Sequence, residues 1–396
     1  MNIYRLAPCP AYDIEGTESW LESMAAKGLV LDSFLFDLAI FHKDAPCLIR
    51  YRLDAARKGT SILSSNGGIP DAELLSLNRS YGWSYITNRG PFHIYVSYNQ
   101  ADRELHTDPA VQAVTLDLVR RQERSSLFCV LFWILLYPLI TRGGFFPVLT
   151  AIALGPLRFL FGFLLALWAF LSSVKKVIFL RSLRNRLSQG EMPDHHKNWK
   201  KHVHLHQLIT LIFPVLCLIW VISLISLLSE RSHGIPLEHY QQPLPFATLA
   251  DLCPEGSYRS NDFLNTNTIR TDSDWLVPIT ISLRENGKVQ LDNGNLLQGG
   301  LLVDYYEMRS PWLAMELARE YRNYDKKRNR KYFTELITPA LPVDYATAYQ
   351  NTFPTLLLVQ GSKIMRLPFY QTSENYTMPL EEWAAVAADY FIYSQP

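Results

Sequence analysis

Cysteine is scarce in this chain, five in 396 residues, and only Cys253 falls in the C-terminal part. One cysteine cannot close an internal disulfide, so that part must be held by its own core. No paired C-x-x-C, G-x-S-x-G, P-loop, H-E-x-x-H or kinase signature occurs anywhere, so nothing names a reaction or a cofactor and enzymatic activity is left open. There is no basic excess either. Charged residues make up 19% and the formal net charge is +1, which is not the footprint of a nucleic-acid binder. The start, "MNIYRLAPCPAYDIE", lacks the basic-then-apolar order of a signal peptide.

The chain does have long uncharged runs. Residues 208–228, "LITLIFPVLCLIWVISLISLL", hold 21 residues without a charge, enough to cross a hydrocarbon layer about 30 Å thick. Residues 127–173 are apolar except for Arg142 and Arg158. That length suits two crossings joined by a turn near "RGGFFP", so three transmembrane helices are expected. Charge is segregated around them. Residues 1–122 hold 12 Lys/Arg against 14 Asp/Glu, residues 172–206 hold 8 against 2, and residues 229–396 hold 15 against 20. Basic residues gather beside spans on the cytoplasmic side. The expected layout is a cytoplasmic domain (1–108), a connector helix with two transmembrane helices (109–174), a basic cytoplasmic loop (175–206), a third span (207–228) and an extracytoplasmic domain (229–396).

Residues 1–100 carry one pattern twice. A strand near "IYRL" precedes the helical spacing of Trp20, Leu21, Met24 and Ala25, which Gly28 stops, and two strands follow. The second copy has "CLIRYRLD", the helix "PDAELLSLNRSYG", Gly82 in the place of Gly28, and the strands "WSYITN" and "FHIYVS". Strand-helix-strand-strand twice over predicts an α+β domain with helices on one face of antiparallel sheet. This order resembles the duplicated modules of GyrI-like small-molecule-binding domains. On that resemblance Trp20, Tyr51, Trp83 and Tyr85 are ligand-cleft aromatics; ordinary core packing is the competing reading. The stretches "SWLESMAAKGL", "LIRYRLD", "YGWSYI" and "HTDP" resemble the bacterial membrane family called domain of unknown function 2812, over roughly residues 1–120. This chain has Gly28-Leu29 where that family commonly has Gly-Trp. The resemblance implies a cytoplasmic module, a few transmembrane helices and a further C-terminal region. It implies no mechanism.

The basic loop contains "DHHKNWKKHVHLH". On a helix, His202 and His206 stand at i and i+4, a spacing that can share a metal, with Asp194, His195 or His196 as further ligands. The alternative is a juxtamembrane segment, titrating near neutrality, that faces lipid headgroups. Lys175, Lys176, Arg181, Arg184, Lys200 and Lys201 are read as membrane-interface residues, as is Arg158, which can snorkel from near the end of its span or serve a function inside it.

The C-terminal domain reads as a second α+β unit: strands "WLVPITISL" and "LLVDYYEM" around a turn "RENGK", then a helix with Pro311 in its first turn, a hairpin at 360–362 and a closing helix. The charge run Arg319, Arg322, Lys326, Lys327, Arg328, Arg330 and Lys331 reads as a solvated helix face. Asp304, Glu307 and Asp344 have no partner visible in the sequence. In "RELHTDPAVQ", Glu104, His106 and Asp108 form either a small catalytic cluster or a joint. Asp108-Pro109 is a helix-start signal, which favours a joint opening a helix over 109–141.

Two functional readings follow. One is a membrane sensor or regulator that couples an extracytoplasmic domain to a cytoplasmic ligand- or protein-binding module, with membrane lipids, a protein partner or a small molecule as its partners. The alternative is an accessory component of a transport or cell-envelope enzyme complex.

Overall fold

The computed structural model describes residues 2–56, 68–105, 108–142, 144–230, 234–252, 256–260, 267–290, 296–372 and 377–393. His106 and Cys253 lie outside the described residues. The chain divides into two compact units, Met1–Ile134 with Leu164–Ile219 and Leu135–Phe163 with Trp220–Pro396.

Unit 1 opens with β1 (Asn2–Leu6), α1 (Ile14–Ala25), β2 (Leu29–Leu35) and β3 (Leu38–Lys43). The same order then repeats as β4 (Arg50–Ala55), α2 (Ala72–Ser80), β5 (Ser84–Arg89) and β6 (Phe92–Ser97). Each copy closes a three-stranded antiparallel sheet, β1-β3-β2 and β4-β6-β5. β2 lies beside β5. α1 starts where the Asp13 carboxylate accepts the Gly16 N–H at 3.1 Å. It ends before Gly28, whose φ of 78° is left-handed. A Cβ there would sit 2.5 Å from the Asp44 carbonyl oxygen, so only glycine fits.

Three long helices follow the module: α3 (Pro109–Arg142), then after the short α4 (Pro147–Leu154) α5 (Pro156–Ser188), and α6 (Val203–Glu230). The Asp108 carboxylate accepts the Ala110 N–H at 2.8 Å, so α3 starts at the Asp-Pro step. Ala113, Leu116 and Val119 of α3, and Leu180, Leu183 and Leu187 of α5, belong to the same buried cluster as Trp20, Tyr51 and Ile94. Their three- and four-residue spacing puts one face of each helix into the module's core. Burying each of those leucines contributes about 1.5–3 kcal/mol.

Two helical segments, Pro156–Ser188 and Val203–Leu227, are long and apolar enough to cross a membrane. The first expected crossing falls in α3, whose side chains over 133–142 lie outside the described ones. The second was expected to begin in the apolar stretch before Arg158. That stretch is instead α4, and its apolar side chains serve another purpose: Phe146 and Leu149 join Ala314, Leu317 and Tyr321 in a core of unit 2.

Unit 2 is a nine-stranded sheet with a helix on each face. Its strands are β7 (Ile235–Pro236), β8 (Ser257–Ser260), β9 (Thr268–Asp272), β10 (Ile279–Gln290), β11 (Leu296–Glu307), β12 (Thr334–Glu335), β13 (Tyr345–Gln350), β14 (Pro354–Gln360) and β15 (Lys363–Gln371). They run β12-β13-β14-β15-β11-β10-β9-β7, with β8 also on β10. Side chains alternate between the faces. Leu301, Val303 and Tyr305 pack with Trp383, Ala387 and Phe391 of α8 (Leu380–Tyr393). Tyr306, Leu357 and Ile364 pack with α7 (Pro311–Arg328). The buried Glu320 of α7 accepts the free N–H groups of Val148 and Leu149 at 3.2 and 2.7 Å, which holds the start of α4 on α7.

The expected turn at "RENGK" is overturned. β10 runs straight through it and pairs with β11 along its whole length, with Asn286 opposite Gly300 and Gly287 opposite Gly299. Gly287 is there for space: a Cβ would lie 2.5 Å from the Tyr258 ring. α7 ends at Arg328, several residues short of the helix expected. The hairpin at 360–362 is present, with Gly361 left-handed at φ 57° and its N–H given to Asp344 at 2.6 Å.

Candidate functional site

The site lies in unit 1, where α1 meets β4. Glu15, Glu18 and Glu22 stand at i, i+3 and i+7 of α1, so they share a face. Glu15 and Glu18 are nearly fully buried, at 3% and 1% exposure. Carboxylates tolerate such burial only when they are paired and hydrogen-bonded. β4 explains part of it. It is an edge strand, and its outward Tyr51 and Leu53 N–H groups are received by Glu22 at 3.3 Å and Glu18 at 2.7 Å. The helix of the first copy thus closes the open edge of the second copy's sheet.

The end of α5 and the basic stretch after it supply the remaining partners. Arg186 and the Asp194 N–H donate to Glu15 at 2.8 and 3.2 Å. Lys197 reaches Asp13 at 2.8 Å. His195 Nδ1 lies 2.6 Å from the second oxygen of Glu18. On the other side Arg52 forks onto Glu104 at 2.9 and 2.8 Å and donates to Glu22 at 2.8 Å. Arg50 also donates to Glu104, at 3.1 Å. Both guanidiniums lie over the Trp83 ring, at 5.1 and 5.8 Å. Burial works against the charge of Arg52, but its bond to Glu104 and the surrounding carboxylates hold its pKa above the usual value. Burial also raises Glu104, and the two arginines outweigh that, so its carboxyl ends below the usual range.

A cavity of about 320 Å³ opens among these groups, lined by Glu18, Arg52, Leu53, Glu104, Gln112, Met192, Pro193 and His195. Its size suits a small metabolite. Gln112 of α3 is only 6% exposed, and it lines the cavity together with His195. A ligand would meet the Gln112 amide and the His195 imidazole beside an apolar wall of Leu53, Met192 and Pro193.

His195 makes this site pH-dependent. Burial opposes its charge, but the bond and charge of Glu18 prevail and raise it above the ordinary 6.5. A raised folded value means the pair's contribution is complete below about pH 6.5 and is lost as pH climbs through the higher value. Urea midpoints of the full chain and of His195→Gln should therefore differ at pH 5.5 and converge by pH 8.5. A gap independent of pH would contradict the pairing.

The aromatics singled out by sequence touch this cluster only where Trp83 underlies Arg50 and Arg52 and the Tyr51 N–H meets Glu22. Trp20 packs edge-on against Phe41 at 5.6 Å. The Tyr51 hydroxyl accepts the Leu31 N–H at 3.3 Å. Trp83 gives its indole N–H to the Arg103 carbonyl at 2.8 Å. All three are buried. Tyr85 lies against Tyr95 and bonds Asn88. None of the four lines the cavity. His206 is on α6 and the side chain of His202 lies outside the described ones; among the described residues no group of three or more His, Cys, Asp or Glu is gathered as for a metal.

Of the interface residues, Lys176 pairs with Glu123 at 2.5 Å and Arg184 with Asp117 at 3.4 Å. Lys175, Arg181 and Lys200 are exposed, and the side chain of Lys201 lies outside the described ones. Arg158 turns to α6, where its Nε donates to Ser223 at 2.9 Å and its carbonyl accepts the Trp220 indole N–H at 3.1 Å. Gly162 leaves the space for that Trp220 ring.

Glu18, Glu22, Arg52, Gln112, Met192 and Pro193 escaped the sequence reading. The acidic i, i+3, i+7 spacing on a helix with a separate apolar stripe was the available signal.

Residues 13–131 match the family model described as "Protein of unknown function (DUF2812)", which covers α1 through the first part of α3. No curated protein and no solved structure matches.

Proposed function

We propose that this chain is an integral membrane regulator whose N-terminal module binds a small molecule or protein and passes that state to the C-terminal domain. The observation that supports this reading most is the shared core. α3 and α5 place Ala113, Leu116, Val119, Leu180, Leu183 and Leu187 inside the module, and both helices also contribute residues to unit 2. A module packed this way cannot change shape at α1 without moving the packed faces of both helices. The cavity stands at that point, with Gln112 from α3, Glu18 from α1 and His195 from the basic stretch on its walls.

In this reading the module and the stretch 189–202 are cytoplasmic, and residues 229–396 lie on the far side of the membrane. The lysine and arginine distribution supports that orientation. The four buried or half-buried aromatics serve packing, and the ligand contacts fall to Gln112 and His195. The test is native mass spectrometry of the full chain in lipid nanodiscs incubated with a cell metabolite extract. The wild type should retain a small molecule. Gln112→Trp, which fills the cavity, should not. Identical ligand-free spectra for both would remove the small-molecule half of the proposal.

A further inference from the structure

The hairpin between β2 and β3 ends in a two-residue tip, Phe36 and Asp37. Phe36 is 86% exposed and Leu35 beside it 58%. Phe36 also has a left-handed backbone, φ 54°, the only non-glycine residue with positive φ among the described ones. A bulky side chain at such a φ is strained, and an exposed phenylalanine gains nothing from water. The tip is nevertheless held firmly. The Asp37 carbonyl accepts the Ala7 N–H at 2.8 Å, and its carboxylate takes the buried Arg89 at 2.8 Å. Arg89 is itself fixed by the Thr17 hydroxyl and the Cys9 carbonyl. The structure therefore fixes a strained, outward-pointing apolar tip.

What lies beside this tip identifies its partner. Leu6 pairs with Leu38, immediately after the tip, and its carbonyl accepts the Gln207 side-chain amide of α6 at 3.0 Å. Gln207 sits in the first turns of the apolar segment Val203–Leu227. The neighbouring outward side chains of that segment, Leu205, Leu208 and Leu211, are each more than half exposed. The tip thus lies two residues before Leu38 of β3 and one strand across from Leu6, the residue that Gln207 holds near the start of a membrane-length helix.

We propose that Leu35 and Phe36 form a lipid-contacting finger that enters the interfacial layer of the bilayer beside the start of α6. Phenylalanine and leucine are among the side chains that surface-bound segments bury at the boundary between headgroups and acyl chains. The finger anchors the first copy of the module to the membrane surface independently of the basic residues. This inference rests on the reading that α6 crosses the bilayer, and the experiment separates the two.

Cys47, Cys129, Cys217 and Cys253 are replaced by alanine; Cys9 stays, because burial shields its thiol and pushes its pKa up. Phe36→Cys and, separately, Leu218→Cys are labelled with the fluorophore NBD and placed in nanodiscs of phosphatidylcholine and phosphatidylglycerol, with and without brominated acyl chains. Both side chains lie on the surface of the fold, so labelling in detergent before reconstitution needs no unfolding. The expected result is clear bromolipid quenching at position 36, weaker than at 218, which lies near the middle of the span. Quenching at 218 without quenching at 36 overturns the finger and leaves the membrane reading standing. No quenching at 218 overturns the membrane reading, and the finger with it. A blue-shifted but unquenched label at 36 shows that protein covers the tip, which also overturns the proposal.

Discussion

Replacing Arg52 by methionine should cost unit 1 about 3–5 kcal/mol, the usual loss when one member of a buried ion network is removed. Arg52 is 7% exposed and serves Glu104 and Glu22 together. Without it both carboxylates lose a partner and the Trp83 ring loses part of its cationic cover. Glu104→Gln should cost much less, because Glu104 is far more exposed than Arg52 and water can replace part of what it loses. Burial already holds the Glu22 carboxyl above the usual range against the pull of Arg52. In the methionine variant it should rise further, so the deficit should shrink toward acid pH, where Glu22 and Glu104 can take protons. Hydrogen exchange at the β4 and β6 amides reads the effect. A loss of 3 kcal/mol corresponds to exchange faster by about 100-fold or more. A change within twofold would mean that the network contributes nothing net.

The second large effect belongs to unit 2. Arg366 donates to Asp325 at 3.1 and 2.9 Å and to Asp304 at 3.3 Å, and Asp325 also accepts the Tyr349 hydroxyl at 2.8 Å. Burial opposes the charge on Arg366, yet the two aspartates hold its pKa well above the usual guanidinium range. Asp325 is 3% exposed. Arg366→Met should therefore destabilise the C-terminal domain by about 3–5 kcal/mol. Adding Asp325→Leu should recover part of this, since an apolar pair can replace a buried ion pair. The recovery will be incomplete, because the Tyr349 hydroxyl is left without its acceptor, at a cost of about 1–3 kcal/mol. Thermal denaturation of the single and double variants in nanodiscs checks the order. A double variant less stable than the single one would contradict it.

Local features were legible in the sequence wherever a short stretch carries its own physics. The duplicated strand-helix-strand-strand order, the glycine stops at Gly28 and Gly82, the Asp108 cap and the hairpin at 360–362 each depend on neighbours within a few residues. The misreadings have equally specific causes. Asn286-Gly287 has the composition of a tight turn, but a long strand needed a glycine there to admit Tyr258. Residues 147–154 have the hydropathy of a membrane span because they pack on α7, a contact about 170 residues away in sequence. Apolar composition does not distinguish lipid from a protein core.

The candidate site was the least legible part, for the same reason. Glu18 and His195 are 177 residues apart, and Arg52 and Glu104 are 52 apart. His195 stands in the histidine-rich run "DHHKNWKKHVHLH", yet its partner is a carboxylate on the first helix. The Asp-Pro step in "RELHTDPAVQ" marks a joint. Asp108 does cap α3, and Glu104, from the same stretch, joins the ionic cluster beside the cavity.

The claim that matters most is that the state of the α1 joint reaches the C-terminal domain. It is tested most directly by hydrogen exchange of the full chain in nanodiscs, comparing the wild type with Glu18→Ala. That change removes the acceptor of the Leu53 N–H and the partner of His195. The readout is the Val148 and Leu149 amides, which Glu320 holds in unit 2. Coupling predicts that their exchange changes severalfold along with that of β4. Loosening confined to β4 and the 191–198 stretch, with Val148 and Leu149 unchanged, would contradict the account.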